Sequence, residues 1–416
     1  MKIAIVTLGC KLNWFESQAL SEKLREAGFT VVADADEADV VVVNTCTVTN
    51  RADSKSALVM KHAKKAGKTV VATGCFATTD GARIEELSWA DLVVKNEDKL
   101  QIPELLRRRD GISATLREHP TEFPIVTRFE RTRAFLKIQD GCDHFCSYCK
   151  IPHARGRSRS LDTETVLDFA STLLESGYRE IVLTGINISS YRSGGDTLST
   201  LAGRLMELPG DFRLRLSSLQ PDEFEPSLIG FLEHPKFAPH FHLSLQSGSR
   251  TVLERMERPY SPERYLELVG RIREVRPDCG ISTDIIAGFP GETDDEQAET
   301  EVFIRKARFT RVHLFPYSPR LHTKASRMPD LPEEIKKSRV RRLESISVET
   351  AEAFIRETMV GKTQRVLGEA KNGVRSNGYN GSYVPCTSNT AWKENAWTDF
   401  TPAGTRMVKG IVELVD

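Results

Sequence analysis

Short β-branched runs alternate with amphipathic stretches along the first ~115 residues. The runs "KIAIVTLG", "ADVVVVNT" and "KTVVATG" are nearly continuous in apolar residues, while Glu16 to Ala27 and Ser54 to Lys65 space theirs helically. Unbroken Val/Ile runs separated by helices predict a parallel sheet covered on both faces. A second strand–helix series runs from Arg131 to about Ser318 through "AFLKIQ", "EIVLTG", "FRLRLSS", "FHLSLQ", "ISTDIIAGF" and "RVHLFPYS". Helical patterns fill its intervals, as at Thr163 to Ser176 and Pro262 to Arg273. Six such strands predict a full or partial βα barrel, with its chemistry at the carboxyl ends of the strands. Pro332 to Thr358 reads as a charged amphipathic helix with Val340, Leu343, Ile346 and Phe354 on one face. The last ~58 residues change to short strands split by Gly and Asn turns, predicting a small five-stranded antiparallel β-barrel of the nucleic-acid-binding sort. The expected class is α/β, with a parallel amino-terminal domain, a central partial (βα)6 barrel and this terminal barrel.

A chain of 416 residues is too long for one ordinary core. Its 58 basic and 58 acidic residues balance, so nucleic-acid binding has to come from local patches. The opening "MKIAIVTLGC" is too short in its apolar part for a secretory signal, and no run approaches the ~20 apolar residues of a membrane span. The expected location is cytoplasmic, with no membrane partner. Eight cysteines are too few for a disulfide scaffold at this length, and clustered thiols in a reducing compartment point to metal binding or catalysis. Cys279 and Cys386 are isolated and read as small buried hydrophobes.

The other six form two sets. Each of the first three strands ends in a cysteine, at Cys10, Cys46 and Cys75, and ligands of open α/β sheets bind beyond the strands' carboxyl ends. Any one of the three also reads as a core thiol; their common position favours a shared site. The second set, Cys142, Cys146 and Cys149 in "DGCDHFCSYC", follows the first strand of the second series. Structural zinc wants four closed ligands, and neither a fourth cysteine nor a finger-like histidine pair completes this set. Three thiolates spaced Cys-x3-Cys-x2-Cys suit a [4Fe–4S] cubane with one iron left open.

This loop resembles the signature of the radical S-adenosylmethionine (SAM) enzymes. With "GCKLNWFES", "NTCTVTNRADSKS", "ATGCFA", "IVLTGIN", "LSLQSGS" and "TDIIAGFPGE" in order, essentially the whole chain resembles the methylthiotransferases. The resemblance implies an amino-terminal cluster domain (1–115), a radical SAM core (128–357) and a TRAM barrel (358–416). It implies two [4Fe–4S] clusters, one on Cys10, Cys46 and Cys75 and one on Cys142, Cys146 and Cys149. One SAM methylates a sulfur carried at the first cluster; cleavage of a second gives a radical that takes a hydrogen from the substrate, which then receives the methylthio group. The implied SAM contacts are Tyr148, Thr184, Gly185, Asn187, Gln246, Asp284, Gly288, Pro290, Gly291 and Glu292. Implied partners are the anticodon loop of tRNA and a reducing electron donor such as a flavodoxin or ferredoxin.

Substrates in this family divide among tRNA isopentenyladenosine, tRNA threonylcarbamoyladenosine and an aspartate of a ribosomal protein. "NTCTVTNRADSKS" and "RGRSRS" resemble the threonylcarbamoyl branch most. That nucleoside carries a carboxylate, and Arg155, Arg157 and Arg159 offer guanidinium forks for it, Arg157 foremost. A solvated basic loop is the competing explanation for each arginine. From Arg128 to Arg159 eight Lys/Arg face three acidic residues, an excess of five that marks a path for phosphates. In the terminal barrel Tyr379, Tyr383 and Trp392 are candidates for base stacking or for core packing. Two departures from the family pattern fall at His153 and at "RLHTKAS". A non-catalytic iron–sulfur RNA-binding protein is the rival of a different class.

Overall fold

Val40 to Val43 are all buried, because the strand that holds them has no solvent face. The computed structural model describes residues 1–107, 126, 129, 132–369 and 375–416. Strands β1 (Lys2–Thr7), β2 (Thr30–Val32), β3 (Val40–Thr45), β4 (Thr69–Gly74) and β5 (Leu92–Val93) form one parallel sheet in the order β2-β1-β3-β4-β5. Helices α1 (Lys11–Glu26), α2 (Asn50–Lys65), α3 (Cys75–Glu86) and α4 (Ile102–Arg107) accompany it. On one side Val40 and Val42 join Leu20, Leu24 and Ile102; on the other Val41 and Val43 join Met60, Ala72 and Phe76. Alternate residues of one strand thus enter two cores, which is why the run shows no alternation.

The chain forms two compact units. The first takes Met1–Arg128, Asp140–Arg159 and Ser318–Thr323, and the second takes Phe129–Gln139, Ser160–Tyr317 and Lys324–Asp416. The cysteine loop, with its short helix α5 (Ile151–Arg155), therefore belongs to the same unit as the amino-terminal sheet. Helix α1 begins five residues before its amphipathic pattern, with a first turn that buries the polar Asn13 beside Leu12 and Phe15.

In the second unit, Ala134–Lys137, Glu180–Thr184 and Arg213–Leu216 are parallel neighbours in chain order. The third run continues past Ser217 into Ser218–Leu219, which opens a second parallel sheet with His240–Leu243, Gly280–Ala287 and Arg311–Pro316. The long helix spans Glu333–Met359 with Pro332 as its cap. Its buried Phe354, Ile355 and Met359 share a core with Val366, Cys386, Trp392, Phe400 and Leu414.

The terminal region differs from the expected five antiparallel strands. It is a six-stranded sheet in which Pro385–Ser388 pairs in parallel with Ile411–Val415, because two other strands intervene between them in the chain. Trp392 lies in its core, and Tyr379 and Tyr383 stack on each other at 4.9 Å beneath Arg133. Within the basic stretch from Arg128 to Arg159, Arg128, Glu130 and Arg131 lie outside the described residues. No helix among the described residues is long and apolar enough to cross a membrane.

Glu180, with no exposed surface, ties this sheet to the series before it. Arg213 and Arg215 each donate an Nε–H to its carboxylate, at 2.6 and 2.8 Å. The same two guanidiniums reach the carbonyls of Tyr379 (3.1 Å) and Gly381 (2.9 Å). Both arginines hold the Glu180 carboxyl well below its ordinary range, against the opposing effect of burial. Its contribution to stability is present above the unfolded value near ~4.3 and is lost as pH falls toward the depressed one. Glu180→Gln strands two buried cations, and chemical denaturation should show a loss of about 3–5 kcal/mol.

Candidate active site

Strands β1, β3 and β4 are adjacent and end in register, with Thr7 opposite Asn44 and Thr45 opposite Gly74. Cys10 caps α1, Cys46 follows β3, and Cys75 is the first residue of α3. Two glycines make the approach feasible. Gly9 (φ +105) leaves no room for a Cβ, which would come within 2.7 Å of the Cys46 Sγ, and Gly74 (φ +95) turns the chain from β4 into α3. Cys10 presents surface to solvent, whereas Cys46 and Cys75 are buried. Burial pushes the Cys46 thiol up to about 11, with Cys10 and Cys75 adding to the effect. Desolvation also raises the Cys10 thiol, while Arg155 pulls it back.

The loop cysteines are held by their own backbone. The amides of His144 and Ile151 point at the sulfurs of Cys142 and Cys149, both at 3.4 Å, and Cys149 N–H donates to the Cys146 carbonyl at 3.0 Å. Amides aimed at sulfur stabilise thiolates, as iron ligation requires. Gly141 (φ +73) lets the loop return on itself: a Cβ there would collide with the Arg157 carbonyl, and Cys142 N–H bonds Gly156 O at 3.1 Å. Phe145 is exposed, with Arg157 over its ring, and Tyr148 is half-buried.

Buried charges join both cysteine sets within the first unit. Arg155 has its side chain 1% exposed and donates to Glu16 Oε1 (2.7 Å), Glu16 Oε2 (3.1 Å), Asn13 Oδ1 (2.9 Å) and Asp140 Oδ1 (3.1 Å). Lys99 donates to the same Glu16 at 2.6 Å, and Lys150 to Asp80 on α3 at 2.8 Å. Arg155, expected to share in reading substrate, is thus corrected to an internal ion-pair partner. A guanidinium whose NH1 and NH2 are consumed by protein acceptors has no fork to offer. Arg159 is half-buried and reaches Asp140 at 3.4 Å; Arg157 is the exposed one, its side chain 76% accessible and only 3.3 Å from Asp143.

The segment "RLHTKAS" has a role its divergence concealed. Arg320 is 3% exposed and donates to Asn50 Oδ1 (2.6 Å), Thr47 Oγ1 (2.5 Å) and Asp53 Oδ2 (2.5 Å), bracing the "NTCTVTNRAD" turn that follows Cys46. Arg320, Asn13, Glu16, Asn96 and Lys99 escaped sequence reasoning. The signal lay in the quoted motifs, since Asn13 and Glu16 sit three and six residues after Cys10.

In the second unit the expected SAM contacts sit on strand ends and turns. Thr184 and Asn187 are buried, and Gln139 Oε1 accepts from the amides of Ile186 (3.0 Å) and Asn187 (2.8 Å), shaping the turn through Gly185. Gln246 (φ +69) exchanges main-chain bonds with the strand carrying Asp284, whose carboxylate lies 3.2 Å from His242 Nε2. Gly288 (φ +70) and Gly291 (φ +71) bend the "GFPGE" turn around buried Pro290. Glu292 closes that turn itself, accepting from Gly288 N–H and from Arg339, both at 2.7 Å. Its carboxylate is a brace for the turn.

Residues 2–95 match the family described as "Uncharacterized protein family UPF0004", and residues 136–304 match the radical SAM superfamily. The chain is 41% identical over 392 residues to the threonylcarbamoyladenosine tRNA methylthiotransferase MtaB of Aquifex aeolicus, covering 91% of this chain and 95% of that one. It is 33% identical to the tRNA-2-methylthio-N(6)-dimethylallyladenosine synthase of Ehrlichia canis, over 89% and 88%. Among solved structures, the radical SAM methyltransferase TsrM of Kitasatospora setae, with cobalamin and a [4Fe-4S] cluster bound, aligns with a TM-score of 0.58 at 16% identity, over 78% and 74%, a likeness of fold. These matches and the thiolate loop define the class, a radical SAM methylthiotransferase that modifies tRNA and uses SAM and iron–sulfur chemistry. Within that class the chain belongs to the MtaB-type family.

Gly141→Ala forces a Cβ into the Arg157 carbonyl at a left-handed φ, a strain of order 1–3 kcal/mol. After anaerobic reconstitution, iron per chain should fall below that of the unaltered protein, to the level of the Cys142→Ala, Cys146→Ala, Cys149→Ala triple variant.

Proposed function

We propose that this enzyme inserts a methylthio group at carbon 2 of N6-threonylcarbamoyladenosine at position 37, in the anticodon loop of tRNA. In this reading it uses two SAM molecules and two [4Fe–4S] clusters, with a one-electron donor such as a flavodoxin or ferredoxin. The observation that carries it is the pair of three-cysteine sites in one compact unit, each with its own sulfur-directed or charged surroundings. The residues fit the groups: three thiolates per site leave one iron of each cubane open. When bound, the clusters supply radical generation at the loop site and sulfur at the strand-end site.

The chain's own residues hold the ligands and shape the turns. The two parallel sheets of the second unit are read as an open βα barrel, with Gly185, Asn187, Gln246 and the "GFPGE" turn cradling SAM, and the terminal sheet as a TRAM-like RNA-binding element. Arg157 takes the threonylcarbamoyl carboxylate. Its exposure and long contact to Asp143 leave its fork available, whereas Arg155 is committed elsewhere. A dimethylallyl group carries no carboxylate and gains nothing from such a residue.

Mass spectrometry of tRNA nucleosides from a strain lacking the gene should show loss of 2-methylthio-threonylcarbamoyladenosine. Restoring the gene should recover it; restoring Arg157→Glu should leave at most about a tenth. Unchanged threonylcarbamoyl modification with loss of the dimethylallyl product, or of a modified ribosomal aspartate, would overturn the assignment. With purified protein, Cys46→Ala should still cleave SAM to 5′-deoxyadenosine yet transfer no methylthio group.

A further inference from the structure

Arg155 has five N–H donors and a buried position, so its acceptors can be counted. Its NH1 donates to Glu16 Oε1 and Asp140 Oδ1, and its NH2 to Asn13 Oδ1 and Glu16 Oε2. The fifth donor, Nε–H, is buried and has no partner among the described residues. A guanidinium with four well-made bonds and one orphaned donor is missing an acceptor. The Asn13 Oδ1 that accepts from its NH2 at 2.9 Å also lies 4.0 Å from the Cys10 Sγ, so the guanidinium stands beside the strand-end cysteines.

Asn96 points the same way by independent geometry. Its Nδ2 donates to the Ala154 carbonyl at 3.0 Å, which fixes the amide so that nitrogen faces inward. That nitrogen lies 3.5 Å from Cys75 Sγ. A neutral thiol is a weak acceptor, whereas an iron-bound thiolate is a good one.

We infer that Arg155 Nε–H and the Asn96 amide are positioning donors to the sulfurs of the cluster held by Cys10, Cys46 and Cys75, and that they raise its reduction potential. The inference rests on the reading that these three cysteines carry a cluster. Hydrogen bonds donated to cluster sulfurs stabilise the more negative, reduced state, which moves the potential upward. The pair also distinguishes this site from the loop site, whose sulfurs receive backbone amides at 3.4 Å.

The test uses the full chain with Cys142, Cys146 and Cys149 changed to alanine, reconstituted anaerobically so that one cluster signals alone. Iron content, the EPR spectrum of the reduced state and the midpoint potential are then measured in that parent, in Asn96→Leu and in Arg155→Lys. The expected result is about four irons in the parent and in Asn96→Leu, with the variant's potential shifted to more negative values and its g-values altered. Arg155→Lys keeps the charge beside Glu16 but removes the planar Nε–H, and should shift the potential in the same direction. A purely structural role predicts reduced iron incorporation at an unchanged potential. Unchanged potential and EPR in both variants, with the parent cluster intact, overturns the inference while the cluster reading stands. A parent that binds no iron overturns that reading, and the inference with it. Asn96 is only half-buried, so its variant keeps the test decisive even where Arg155→Lys fails to fold.

Discussion

A guanidinium cannot be buried cheaply, and the first unit is organised around meeting that requirement. Arg155 draws acceptors from three places in the sequence: Asn13 and Glu16 on α1, and Asp140 at the stem of the cysteine loop. Removing either side of such a pair leaves an unpaired charge in a low-dielectric setting. The helix opened by Cys10 and the loop carrying Cys142, Cys146 and Cys149 are therefore fixed to each other by electrostatics. Lys150 and Asp80 repeat the device between that loop and the helix opened by Cys75. Arg320 does the same for the turn after Cys46, through Asp53. Each strand-end cysteine thus has a buried cation bracing the element beside it.

What was legible in the chain followed from strong periodicity and from chemistry that needs close spacing. The valine run announced a doubly covered sheet, and three cysteines at three strand ends announced a shared edge. The start of α1 was hidden because polar Asn13 is buried there beside Leu12 and Phe15, which blurs the apolar periodicity. The alternating arginines all looked available to substrate, Arg157 foremost, since nothing in their spacing says that Arg155 is buried. Only tertiary structure puts one among carboxylates and the other in solvent. The terminal pairing order was missed for a similar reason, as parallel pairing of Pro385–Ser388 with Ile411–Val415 across two intervening strands leaves no local signature.

The glycine motifs of the second unit carry a related lesson. "IAGFPGE" suggested direct ligand contact throughout, yet its one charged residue is spent internally, on the Gly288 amide and Arg339. A turn that must present backbone groups needs a side chain to hold it, and Glu292 serves that end. Gln139 does so for "LTGIN", with one amide oxygen collecting two N–H groups.

The two thiol sets also differ in how far apart their members lie along the chain. Cys142 and Cys149 are 7 positions apart, whereas Cys10 and Cys75 are separated by 65. Bringing the distant set together from an open chain costs about 2 kcal/mol more in closure entropy, and in practice needs the sheet already built. The loop set is close enough to bind metal in a nascent or partly unfolded chain, while the strand-end set exists only once β1, β3 and β4 are aligned. On the proposed two-cluster reading, metal capture there would be coupled to folding, so its binding energy would add to the stability of the sheet. Maturation would thereby acquire an order, in which the long-range site is completed last and its occupancy reports that the domain has folded.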